Sequence, residues 1–212
     1  MREANLQSIY ASLIGEGIQR LSAAEKFLDQ YRRDKETPQL EAAILQIRKS
    51  LELIALAAIA PDKKEYAAFR ATADKDQDFT KDYHAARIFG ALSRINPEFY
   101  PRPLLPATRM SDGTWHFGQK QSGYLSKKRF ERAYDRLGKH LHAHNPWGTS
   151  KNLHNLAVAL PTIIAEARGL LQLHARIIRT SDFQGVWVIE AESPSPRVIT
   201  GAVDGPFVAT AA

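Results

Sequence analysis

Between residues 4 and 33 apolar side chains recur at Leu6, Ile9, Tyr10, Leu13, Ile14, Leu21, Ala24, Phe27, Leu28 and Tyr31. Such spacing, held over about eight turns, predicts one long amphipathic helix. A stripe of that length needs partners along its whole face, so the rest of the chain must supply further helices. Gly15 and Gly17 lie inside the run, where each weakens a helix by ~1 kcal/mol relative to alanine. They mark a bend or a close helix crossing. The polar cluster from Arg32 to Thr37 breaks the pattern, and Pro38 suits the first turn of the next helix.

The following segments read the same way. A second helix runs from about Pro38 to Ala60, with Leu40, Ile44, Ile47, Leu51, Ile54 and Ala58 as its core stripe. Pro61 ends it, and a short helix follows from Lys63 to about Ala73. A fourth helix, Lys81 to Ile95, is expected to bury Tyr83, Ala86, Phe89, Leu92 and Ile95, and stops at Asn96–Pro97. Prolines 97, 101, 103 and 106 stiffen the next stretch, and Asp112–Gly113 marks a hairpin turn within a β excursion over about 104–120. A fifth helix starts after Ser126, with Leu125 and Phe130 placed as a hydrophobic staple. It carries Phe130, Tyr134, Leu137 and Leu141 and ends at Asn145–Pro146. A sixth runs from about Thr149 or Ser150 towards Arg179, with Pro161 inside it. Beyond Thr180, Val186–Glu190 and Val198–Ala202 read as two strands. The expected fold is therefore mainly α. It is a helical bundle of about five main helices (residues 1–179), with a small C-terminal β-hairpin appendage (180–212) packed on it.

Composition narrows the function classes. The chain has 212 residues and no cysteine, which removes disulfide scaffolds, thiol nucleophiles and cysteine-ligated metal sites. Its richest apolar run, Leu51 to Ala60, is too short to span a bilayer, so no membrane partner is expected. The first ten residues, MREANLQSIY, lack the apolar core of a secretory signal, and the cytoplasm is the simplest compartment. Lysine and arginine total 29 against 23 acids, a net charge of +6. That permits a phosphate-rich partner without requiring one. There is no glycine-rich phosphate loop and no GxSxG signature.

The densest chemistry lies in YDRLGKHLHAHNPW, residues 134–147. It gathers Arg136, His140, His142, His144 and Asn145 near one helix end. Imidazole moves protons near neutral pH, and guanidinium holds phosphoryl oxygens. Histidines at a helix C-terminus also simply complement its dipole. His140 and His144, one turn apart, could share a metal ion, but a third ligand would have to come from elsewhere, such as His154. No metal and no cofactor is expected.

Arg136, five intervening residues and His142, near the end of a late helix in a helical protein, resemble the motif of the HEPN superfamily. The stretch Arg48 to Leu56 resembles the HEPN helix that often directs a polar or acidic residue at that motif, with Arg48 and Glu52 one turn apart. The resemblance spans about residues 1–175. It implies a metal-independent endoribonuclease, of the kind found among toxins and antiviral defence proteins, working as a homodimer on RNA. In it Arg136 and His142 would be catalytic, with Glu52 facing them, and Asn145, their neighbour at the end of the same helix, joins the candidate catalytic set. Leu137 departs from the Asn, Asp or His that usually follows the arginine. The phrases INPEFYPRP (95–103) and LHAHNPW (141–147) resemble signatures of a bacterial protein group and imply no activity by themselves.

The alternative is a non-catalytic helical module that binds RNA, DNA or protein. Lys127, Lys128, Arg129 and Arg132 crowd the first turns of the fifth helix, where positive charge opposes the dipole. Phosphate contact is one reason for them, and a solvated basic face is the other. Tyr100, Trp115, Phe117 and Trp147 would stack bases if exposed, or serve as buried structural aromatics.

Overall fold

The long N-terminal period forms α1, Glu3–Asp34, in the computed structural model, which describes residues 3–73, 77–142, 147, 153–192 and 196–202. Lys35 takes a left-handed conformation (φ 58°) and donates its N–H to the Tyr31 carbonyl at 2.8 Å, closing the helix. Pro38 sits at the start of α2, Thr37–Ala57. The two helices run antiparallel, and Gly17 marks their close crossing: Ser50 Oγ donates to the Gly17 carbonyl at 2.9 Å. Arg20 then reaches Gln46 at 3.0 Å further along.

Among the described residues four more α-helices follow: α3 (Lys63–Ala71), α4 (Ala85–Ile95), α5 (Lys127–Lys139) and α6 (Leu153–Leu171). A 3-10 turn at Phe79–Lys81 precedes α4, so that helix begins later than the sequence suggested. Its buried stripe is accordingly Ala85, Ile88, Phe89, Ala91 and Leu92. Tyr83, expected inside, is 72% exposed, and Ala86 is exposed too. Phe89, Phe99, Tyr100, Phe130 and Tyr134 form a continuous set of tilted, edge-on and stacked rings that joins α4 to α5. Leu125 and Phe130, the expected staple, are both buried.

The larger correction concerns residues 173–179. They are strand β4, Leu173–Arg179, and not the last turns of α6. β4 pairs with β1 (Arg102–Pro103) on one side and β5 (Gln184–Glu190) on the other, and β5 pairs with β6 (Arg197–Ala202). The sheet is fully antiparallel, in the order β1–β4–β5–β6. The expected C-terminal hairpin is thus the outer half of a four-stranded sheet. Trp187 and Ile189 of β5 and Ile178 of β4 share one core with Tyr10, Leu51, Leu160 and Leu171 from the helices.

A buried polar knot fixes the sheet to the helices. Arg176 on β4, fully buried, donates to Asp62 Oδ2 at 3.0 Å and to the Ala58 carbonyl, beyond the end of α2, at 3.3 Å. Asn96, at the end of α4, donates to Asp62 at 3.2 Å and to the Ile177 carbonyl at 3.0 Å. Burial raises the Asp62 carboxyl above its ordinary value, while Arg176 and Asn96 pull it down. The charged and hydrogen-bonded partners are what make this buried placement tolerable.

A second pairing, β2 (Thr108–Arg109) with β3 (Trp115–His116), forms the expected hairpin, with Gly113 at φ 87° in its turn. Among the described residues no helix is long and apolar enough to cross a membrane.

Candidate nucleic-acid interface

Helix α5 is strongly two-sided. Phe130, Ala133, Tyr134 and Leu137 are buried, and the basic residues flank that stripe. Arg129, Arg132 and Arg136 follow an i, i+3, i+7 spacing and therefore share one face over ~10 Å. Together with Ala159, Thr162, Ile163 and Glu166 of α6 they line a groove of about 350 Å³. Arg129 bridges to Glu166 at 2.8 Å, and Arg136 donates to the Asn155 carbonyl at 3.1 Å. Arg132, exposed between them, makes no hydrogen bond or ion pair among the described residues. Three guanidinium groups face a single carboxylate, so the groove is positive. The Arg129–Glu166 bridge is more than half exposed on the arginine side and therefore weak, so it does not commit Arg129 strongly.

The rest of the basic cluster divides by helix face. Lys127 turns towards α4: its Nζ donates to Ser93 Oγ at 2.8 Å and lies 5.0 Å from the centre of the Phe99 ring. Its role there is packing, which also explains a lysine at a helix N-terminus. Lys128 is exposed and, four residues before Arg132, lies beside it on the helix, outside the lining of the groove.

Arg48 and Glu52 do face α5, but on its other side. The Arg48 guanidinium lies 3.9 Å over the Tyr134 ring, donates to the Tyr134 carbonyl at 2.9 Å and pairs with Glu52 at 3.2 Å. Tyr134 O–H donates to the same Glu52 oxygen at 3.1 Å. Burial first, and the Glu52 carboxylate second, raise the Tyr134 hydroxyl above its ordinary value. Gly138 makes room for this stack, because a Cβ there would lie 2.4 Å from an Arg48 nitrogen. Tyr134 and Arg136 differ by about 200° round the helix. The structure therefore does not bring Glu52 to Arg136.

His140 caps the C-terminal end of α5, so this helix is shorter than expected, and His142 lies just beyond it, exposed. Arg136 is exposed as well. Asn145 and His144 lie outside the described residues. Among the described residues no group of three or more histidine, aspartate or glutamate side chains is placed to hold a metal ion. Of the four candidate stacking aromatics, Trp115 (62%) and Trp147 (92%) are exposed, whereas Tyr100 donates its hydroxyl to the Leu125 carbonyl at 2.6 Å within the aromatic core.

The α6 wall of the groove, above all Glu166, is absent from the sequence reading. One signal was available: Arg129, Arg132 and Arg136 share a helical face, whereas Lys127 lies on the opposite side of the helix. Comparison with protein-family models, with curated proteins and with solved structures finds no significant match.

Proposed function

We propose that this chain binds RNA, with the α5–α6 groove as its phosphate-contacting surface. The observation that carries the reading is the single-faced row Arg129, Arg132 and Arg136, with Arg132 left without a partner among the described residues. Phosphate oxygens are the natural acceptors for such a row, and contacts of this kind fix position without reading sequence. Titrating labelled single-stranded RNA by fluorescence anisotropy at low salt tests it. Binding that weakens steeply with added salt is expected, and an absence of binding contradicts it.

Cleavage is the second reading, favoured by one observation: Arg136 and His142 are both exposed at the C-terminal end of α5. In this HEPN-like reading His142 moves the proton at the 2′-hydroxyl or leaving oxygen and Arg136 steadies the phosphoryl charge, on a homodimer that completes the site, in a toxin or defence protein. Glu52 has no direct part in it, because its carboxylate is held by Arg48 and Tyr134. Incubation with total RNA in EDTA is the test. His142→Ala is expected to lower turnover by about 10²- to 10⁴-fold while leaving RNA affinity nearly unchanged. Equal cleavage by both proteins, or none by the wild type, removes this reading and leaves the binding one.

A further inference from the structure

The β2–β3 hairpin extends a ribbon that starts in the main sheet. β1 passes into Leu104, which bridges Gln119, and Leu105 N–H donates to the Gly118 carbonyl at 2.7 Å. Beyond it the register changes by one, since Thr108 pairs with His116. Pro106 and Ala107 therefore oppose Phe117 alone. This is a bulge, and it suits a proline that has no N–H to donate. The turn is well tied: Asp112 accepts from Thr114 N at 2.9 Å and from Thr114 Oγ1 at 2.6 Å, and Met110 N donates to the Thr114 carbonyl at 2.8 Å. Every residue from 108 to 116 is exposed. Trp115, at 62%, has no ring contact and no hydrogen bond among the described residues, and it stands directly across from Arg109, which also has no ion pair there. The only acid of the tip, Asp112, is occupied inside the turn.

A large apolar ring held out on an anchored ribbon beside an unpaired cation calls for a partner that is flat, apolar and anionic at once. We infer that this ribbon is a base-stacking finger for single-stranded RNA, with Trp115 as the stacking platform and Arg109 as its phosphate contact. A splayed base supplies the flat face, and its backbone supplies the charge. Paired RNA hides its bases within the stack, so a duplex does not use the finger in this way. The returning chain also leads to the groove. From Gln119, six residues reach Leu125, which lines the groove and whose N–H donates to the Glu166 carbonyl at 2.8 Å. Gly123 lies against Gly169 of α6 so closely that a Cβ on Gly169 would stand 2.0 Å from the Gly123 carbonyl oxygen. Finger and groove are therefore joined by a short connection anchored on α6.

This inference rests on the RNA reading of the groove, and one experiment separates the two. Anisotropy titrations at one fixed low salt concentration compare a labelled twelve-nucleotide oligouridine with a twelve-base-pair RNA duplex. The proteins are wild type, Trp115→Ala, Trp115→Phe and Arg132→Gln, each checked for an unchanged melting temperature. Trp115→Ala is expected to weaken oligouridine binding roughly five- to a hundredfold, and Trp115→Phe to stay within about threefold of wild type. The duplex should be insensitive to both. Arg132→Gln should weaken both RNAs. If wild type and Trp115→Ala bind oligouridine equally, the finger is overturned while the groove stands. If Arg132→Gln has no effect while Trp115→Ala does, the groove falls and the finger stands. Wild-type protein that binds neither RNA overturns both.

Discussion

His174 on β4 has both ring nitrogens committed. Nδ1 lies 2.9 Å from the Leu171 carbonyl, which can only accept, so Nδ1 carries the proton. Nε2 then accepts from the Tyr10 hydroxyl at 2.8 Å. The ring is fully buried, and burial pushes its pKa down to about 4. An unfolded histidine titrates near 6.5, so between about pH 6.5 and 4 the unfolded chain takes up a proton that the folded chain refuses. This group therefore contributes its full stability above about pH 6.5 and loses it as pH falls towards 4. The loss is of the order of 3 kcal/mol when complete. Urea unfolding at pH 7 and pH 4.5 should show His174→Asn less stable than wild type at pH 7. The gap should narrow clearly at pH 4.5, and a gap independent of pH contradicts the assignment. The same burial raises the Tyr10 hydroxyl above its ordinary value, so it stays protonated and a donor near neutral pH.

At the scale of elements, β4 is the strand on which the fold turns. Arg176 joins it to the end of α2 through Asp62 and the Ala58 carbonyl, and Asn96 joins it to the end of α4. Arg176→Met should leave the Asp62 carboxylate buried without its counter-charge. A loss of about 3–5 kcal/mol in denaturant unfolding is expected, and a change below ~1 kcal/mol contradicts this role for the knot. β4 is also where the sequence was hardest to read. Leu173, Ala175, Ile177 and Ile178 continue the apolar texture of α6, and a short run of that kind fits a strand or a helix equally. The deciding partners, Arg102–Pro103 and Gln184–Glu190, lie outside that run, the first of them far back along the chain. By contrast α1, α2 and the hairpin at Asp112–Gly113 were legible, because local spacing and turn chemistry suffice for them. On α5 the residue types were legible and their grouping was not. Tyr134, Gly138 and Lys127 are occupied by Arg48 and Ser93 from other helices, and only packing reveals that.

For the whole molecule, the net charge of +6 does not by itself say where an anion would bind. Ion pairs such as Arg168–Glu25 and Lys64–Asp182 consume part of the positive charge on other faces. The α5–α6 groove keeps a surplus, with three arginines against one acid, Glu166. The ribbon carrying Trp115 returns to the body at Leu125, on the wall of that same groove. The central claim is that these arginines hold phosphates, and the salt dependence of RNA affinity tests it most directly. Each phosphate contact on a single strand contributes about 0.7 to the slope of log affinity against log salt. The Arg129→Gln/Arg132→Gln/Arg136→Gln variant should therefore bind more weakly and lower the magnitude of that slope by roughly 2. An unchanged slope and affinity in the triple variant would contradict the account.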